Sequence, residues 1–238
     1  MNTIALYDAV CLKASRHTTY SYSTSFSLGI RSLDRRYHDP IHAIYGFVRF
    51  ADEIVDTFHA HDKATLLQRF RNDTYTAIAE GISLNPILHS FQQVVNRYGI
   101  ERELYDTFLN SMDMDLRDTT HDLGSYEQYI LGSAEVVGLM CLRVFCEGDN
   151  ALYDRLRTPA MRLGAAFQKV NFLRDLKDDH HSLGRTYFPG VDVSRMDDTT
   201  KRAIEADIAA DFDAAILGIR QLPRGARFGV YIAYVYYL

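Results

Sequence analysis

Residues 41–58 read IHAIYGFVRFADEIVDTF, a run in which Asp52 and Asp56 are set among apolar neighbours. Tyr45, Arg49, Asp52 and Asp56 fall at i, i+4, i+7 and i+11, which places them on one continuous stripe of a helix. Such a helix is expected to be largely buried. Two carboxylates on its inner stripe are costly unless something neutralises them. Arg49 could serve only one of them, so a divalent cation is the economical counter-ion.

The same pattern returns in GAAFQKVNFLRDLKDDHHSLGRTYFP, residues 164–189, where Asp175 and Asp179 are again four apart. Asn171 stands one turn before Asp175 and Phe167 one turn before that, on an apolar N-terminal half. The first members of the two pairs lie far apart in sequence, so the pairs come from different helices that the fold could bring face to face. Oxygen-only ligands suit hard Mg²⁺, with Mn²⁺ as an alternative, and Mg²⁺ is typically held by one or two carboxylates plus substrate phosphates. Two further pairs, Asp118/Asp122 in RDTTHD and Asp207/Asp211 in EADIAADFDAA, sit in polar surroundings. They are expected to be solvated acidic faces, because the Asp-x-x-x-Asp spacing by itself is cheap.

Other site chemistries lack their signatures. A di-iron bundle wants Glu-x-x-His, which this chain does not contain. The dipeptides His38-Asp39, His61-Asp62 and His121-Asp122 are read as loops or caps rather than as a mid-helix phosphohydrolase motif. Neither a Walker A sequence nor G-x-G-x-x-G is present.

Around these motifs the chain reads as helix throughout. Asp39-Pro40, Asn85-Pro86 and Thr158-Pro159 each offer a capping residue before a proline suited to a first helical turn. Helices are predicted at roughly 3–21, 40–60, 63–81, 86–98, 101–118, 125–147, 159–180, 197–220 and from 225 onward. Alternating strand patterns are scarce. The expected fold is therefore all-α: a single-domain bundle over residues 1–238, with a central hydrophobic cavity.

Hydrophobic residues make up 47% of the 238, enough for a substantial core. The net charge of −5 argues against nucleic acid as a partner. Three cysteines without a CxxC argue against a disulfide framework. The N-terminus turns polar within a few residues, unlike a signal peptide, and no apolar run is expected to reach bilayer-spanning length. A cytoplasmic setting follows as the expectation. Residues 228–238 (FGVYIAYVYYL) are apolar to the end, which suggests that the natural chain continues.

Four blocks resemble the squalene/phytoene synthase family, the head-to-head isoprenoid condensing enzymes. Ser23-Thr-Ser-Phe26 is similar to its N-terminal Ser/Phe block, and Tyr45 through Asp56 to its first aspartate-rich motif. Met114-Asp115-Leu116 and Tyr129 through Gly138 resemble its middle helices. Asn171-Phe-Leu-Arg174-Asp175 through Asp179, with Gly184-Arg185-Thr-Tyr187-Phe-Pro189, resembles the second motif and its tail. Glu135 departs from the family's usual small residue and is expected to reshape the pocket. A tyrosine of the family's last helices falls among Tyr231, Tyr234 and Tyr237.

The resemblance implies a mechanism. Asp52, Asp56, Asp175 and Asp179 would bind Mg²⁺ bridging two prenyl diphosphates. Arg49, Arg185 and Arg174 would add positive charge to the leaving group. Ser23, Asn171 and Tyr187 would line the substrate site, while Phe26, Tyr45 and Tyr129 would offer π faces to carbocations. The first choice is a phytoene synthase joining two geranylgeranyl diphosphates through a cyclopropylcarbinyl diphosphate, without NADPH. The runner-up is a squalene or dehydrosqualene synthase acting on farnesyl diphosphate. A non-catalytic scaffold protein and a Mg²⁺-dependent diphosphate hydrolase stand as readings of other classes. An apolar product makes loose attachment to a membrane surface an expectation too.

Overall fold

The computed structural model describes residues 3–117, 122–182, 188 and 197–238, the side chains of 123 and 175–182 excepted. Among the described residues the secondary structure is helical, without a strand. In chain order the helices are α1 (Thr3–Tyr22), α2 (Thr24–Arg31), α3 (Arg35–Asp56), α4 (Lys63–Glu80), α5 (Pro86–Tyr98) and α6 (Arg102–Arg117). There follow α7 (Leu123–Ile130), a π-helical turn (Leu131–Glu135), α8 (Val136–Cys146), α9 (Asn150–Ser182), α10 (Asp198–Ile219) and α11 (Arg224–Tyr237).

The capping logic holds at Asn85, whose side chain accepts from the backbone N–H groups of Ile87 and Leu88 ahead of α5. It fails at the other two prolines. α3 begins at Arg35, capped by Asp34, so that Pro40 lies in its second turn and His38-Asp39 lies within the helix rather than at a cap. α9 begins at Asn150 and runs straight through Pro159. The proline ring is accommodated by its neighbour: a Cβ added at Gly218 of α10 would lie 2.3 Å from Pro159 Cβ. Interhelical packing offsets the one backbone hydrogen bond that a mid-helix proline removes. The short helix α2 was not expected; Ser23 creates it by accepting from the Phe26 N–H at 3.1 Å.

α3 owes its place to its inner apolar face. Phe47, fully buried, stacks on Phe91 of α5 with ring centroids 3.8 Å apart, and packs against Phe70 of α4 and Phe108 of α6. Each such ring contributes about 2–3 kcal/mol by leaving water. This cluster fixes α3 from behind and leaves the Tyr45–Asp56 stripe on another face.

The helical run Gly124–Cys146 is 23 residues long and holds an 18-residue window of mean hydropathy 1.6, by length and composition alone enough to cross a membrane. That corrects the expectation that no run reaches such a length. Just over half of that window is buried inside the protein, where the run packs between α6 and α9. Its π turn is wedged tightly. A Cβ on Gly132 would lie 2.6 Å from Ser111 Cβ of α6, and one on Gly164 of α9 would lie 2.6 Å from the Ala134 carbonyl oxygen. Only glycine lets the backbones come this close. The π turn sits between these two close approaches.

Candidate functional site

The α3 stripe carries a strongly perturbed carboxylate at Asp52. Asp52 is part-buried, and burial pushes its carboxyl up to about 8. The negative charges of Asp56, Asp115 and Glu53 push the same way, and Arg49 opposes them. Arg49 does not pair with Asp52. Its guanidinium pairs with Glu53 one turn on, lies 4.4 Å above the ring of Tyr22, and leaves a buried Nε–H without a hydrogen-bond partner. Asp56, at the C-terminal end of α3, is exposed.

One turn before Arg49, a row of aromatic rings begins. Tyr45 lies 5.6 Å from Phe26 of α2; Phe26 lies 6.4 Å from Tyr237 of α11; and Tyr237 stacks at 4.4 Å on Phe167 of α9. Burial raises the pKa of the Tyr45 hydroxyl; Arg49 and a hydrogen bond with Ser23 oppose the shift, while Asp52 and Tyr237 add to it. Ser23, Phe26, Tyr45 and Arg49 are thus brought together. Of the three candidate C-terminal tyrosines it is Tyr237 that joins them. Tyr234 packs edge-on against Phe212 of α10, and Tyr231 is nearly half exposed. Helical phase on α11 selects among the three, and that needs the tertiary position of the helix.

On the other side of Asp52, Tyr129 of α7 is buried and donates its hydroxyl to Asp115 Oδ2 of α6 at 2.9 Å. Its ring lies 5.9 Å from Phe172 of α9. Asp115 was not among the residues singled out for chemistry. The only sequence signal was its place in the Met114-Asp115-Leu116 block.

On α9, Asn171 is half-buried and its Oδ1 is closed from solvent with no hydrogen-bond partner, while Arg174 is exposed. Asp175 and Asp179 belong to α9 by backbone; their side chains lie outside the described residues, as do Arg185 and Tyr187. Rings of α2 and α11 join Tyr45 of α3 to Phe167 of α9, and Tyr129 of α7 joins Asp115 of α6 to Phe172 of α9. Among the described residues no three His, Cys, Asp or Glu side chains gather closely enough to hold a metal by themselves.

The remaining acid pairs resolve differently from one another. Asp122 has extended backbone and caps α7 by accepting from the Ser125 N–H at 2.8 Å, so it is not on a helical face; Asp118 lies outside the described residues. Asp207/Asp211 is not the solvated face that was expected. Asp211 is 3% exposed and accepts from Lys169 Nζ at 2.7 Å and Arg162 Nη1 at 3.1 Å, whereas Asp207 takes the Lys169 ammonium at 2.5 Å from the outside. Glu135, in the π turn, belongs electrostatically to this cluster: Arg162 and Lys169 lower its pKa, Asp211 raises it, and burial, the largest effect, leaves it above the usual carboxylate range. The three cysteines are free, with burial pushing Cys141 up to about 12 and Cys146 up to about 11, so both are inert thiols.

The model of the family described as squalene/phytoene synthase matches residues 20–238. The chain belongs to that family. It is 28% identical over 200 residues to a presqualene diphosphate synthase of Rhodopseudomonas palustris, covering 81% of this chain and 68% of that protein. It is 30% identical to the 15-cis-phytoene synthase of Pantoea ananas, covering 70% of this chain and 56% of that protein. It is 32% identical to a phytoene synthase of Rhodobacter capsulatus, over 76% of this chain and 51% of that protein. The chain therefore spans about half to two thirds of the length of these curated relatives. In fold it is similar to a dehydrosqualene synthase crystallised with a ligand, at a TM-score of 0.84 and 20% identity over 97% of this chain and 84% of that one. A squalene synthase from Alicyclobacillus acidocaldarius superposes equally well, with a TM-score of 0.84 and 20% identity over 98% and 92% of the two chains.

Proposed function

We propose that this protein joins two prenyl diphosphates head to head, first choice two geranylgeranyl diphosphates giving phytoene. The observation that carries the reading is the unbalanced acid at Asp52. The negative charges of Asp56, Asp115 and Glu53 act on it, the nearby arginine is engaged with Glu53, and a row of aromatic rings begins two turns away. An excess of carboxylate beside an aromatic wall suits a metal-bound diphosphate carrying an apolar tail.

In this reading Asp52 and Asp56, with Asp175 and Asp179 of α9, hold Mg²⁺; the unpartnered Asn171 Oδ1 adds a neutral oxygen of the right type. Bound Mg²⁺ supplies Lewis acidity to the departing diphosphate. Arg49, Arg174 and Arg185 neutralise the leaving group's charge. Ser23 orients the Tyr45 hydroxyl, and Tyr187 completes the substrate site. Phe26, Tyr45, Tyr129 and Tyr237 present π faces to the allylic cation and exclude the water that would quench it. The double bond of the second chain then attacks, and loss of a proton to the released diphosphate closes the ring of a cyclopropylcarbinyl diphosphate; a second loss of diphosphate, rearrangement and loss of a second proton give the 1–1′ linked product.

A second reading keeps the chemistry and changes the chain length to two farnesyl diphosphates. It is favoured by the similarity to a protein named presqualene diphosphate synthase. Both are tested by incubation with Mg²⁺ and either geranylgeranyl or farnesyl diphosphate, with and without NADPH, followed by mass analysis of extracted lipid. A C40 hydrocarbon made without NADPH, and lost in Asp52→Ala and Asp175→Ala, is the expected result. A C30 product moves the assignment to the second reading. Inorganic diphosphate released with neither a hydrocarbon nor a joined C40 or C30 diphosphate, or no turnover at all, overturns both.

A further inference from the structure

Arg49 poses a problem that the aspartates do not. It stands one turn before Asp52 on the same stripe and is free by spacing to pair with that carboxylate. If it did, Asp52 would lose charge needed for a cation, and the arginine would lose donors needed for an anion. The geometry prevents this from two sides. Glu53 takes one edge of the guanidinium. The Arg49 Cζ lies over the ring of Tyr22, the last residue of α1, 4.4 Å from its centroid. A cation held over a ring spends no N–H on that contact, so the donors that Glu53 does not take stay available. The Nε–H is buried and unpartnered.

We infer that Tyr22 is a positioning residue: its ring supports the Arg49 guanidinium, keeps it off Asp52 and turns its donor edge toward the diphosphate. The inference rests on the prenyl diphosphate reading. Tyr22 is half exposed, at 50%, and packs into none of the buried clusters, so core stability gives no reason for a tyrosine there. Its hydroxyl is not required; the ring is.

The test uses the full chain with Mg²⁺, comparing wild type, Y22F, Y22L, R49A and the double variant Y22L/R49A. Affinity for inorganic pyrophosphate is read by calorimetry, kcat/KM by hydrocarbon formation, and folding by Tm. Y22L is expected to weaken pyrophosphate binding about 5-fold, to lower kcat/KM by a similar factor and to leave Tm unchanged. Y22F, which keeps the ring, restores wild-type affinity. In the R49A background Y22L has no further effect. The inference is overturned if Y22L binds as wild type does, if Y22F loses as much as Y22L, or if the loss persists without Arg49. A Y22L protein with a lowered Tm and an unchanged affinity per folded molecule overturns it as well. Should wild type neither bind pyrophosphate nor form hydrocarbon, the functional reading falls and takes the inference with it. A productive wild type with an insensitive Tyr22 sinks the inference alone.

Discussion

Asp52/Asp56 on α3 and Asp207/Asp211 on α10 are the same motif at the same spacing, and the fold treats them in opposite ways. Asp211 is the more deeply buried, yet it is balanced: Lys169 and Arg162 both donate to it, and Asp207 shares the lysine. Asp52 is surrounded by more acid, with Arg49 drawn off by Glu53 and Tyr22. A carboxylate that finds its cation inside the protein holds helices together. One whose folded environment pushes its pKa up to about 8 is kept in an unfavourable state by the surrounding structure, which is how binding and catalytic groups differ from structural ones.

Four measurements break or sharpen this contrast. The largest effect is expected on catalysis: Asp52→Asn lowers hydrocarbon formation by about 10³-fold, roughly 4 kcal/mol, whereas a variant within about 10-fold of wild type would remove Asp52 from the site. Next comes Asp211→Ala, which leaves Lys169 buried with one outer partner. A loss of about 3 kcal/mol is expected, seen as a Tm lower by roughly 8 °C. An unchanged Tm would mean that the buried pair contributes nothing.

The third effect is one of pH. With a folded pKa of about 8 against 3.8 for the free group, the folded protein holds the Asp52 proton more tightly. That contribution is fully present below about pH 4 and is lost as pH rises through about 8. Without metal, stability should therefore fall over this window in wild type more than in Asp52→Asn. The variant should melt roughly 4 °C higher at pH 8, about 1–2 kcal/mol, and Mg²⁺ should reverse the order. Lys169 shows the opposite balance: its ion pairs outweigh burial and raise its pKa, so its contribution is lost only above the usual lysine range. The smallest effect is at Asp207, whose side chain is 62% exposed. Asp207→Asn should cost less than about 1 kcal/mol in thermal unfolding, and a loss matching that of Asp211→Ala would erase the inside–outside distinction on α10.

The sequence by itself determined the helical class, most helix positions and the stripe from Tyr45 to Asp56. All of these are local: they follow from 3.6-residue periodicity, from capping residues such as Asn85, and from the cost of like charges on an apolar face. Its errors came where local rules compete with packing. Thr158-Pro159 reads as a helix start, but Gly218 on another helix makes room for the proline, and α9 continues through it. Only the tertiary structure decided which acid pair is balanced, because Lys169 is 42 residues from Asp211. The placement of Asp115 beside Tyr129 and Asp52, and the choice of Tyr237 over Tyr231 and Tyr234, belong to the same kind. In each case the deciding partner sits on a different helix. Periodicity tells a residue which face of its own helix it occupies, but not which helix that face will meet.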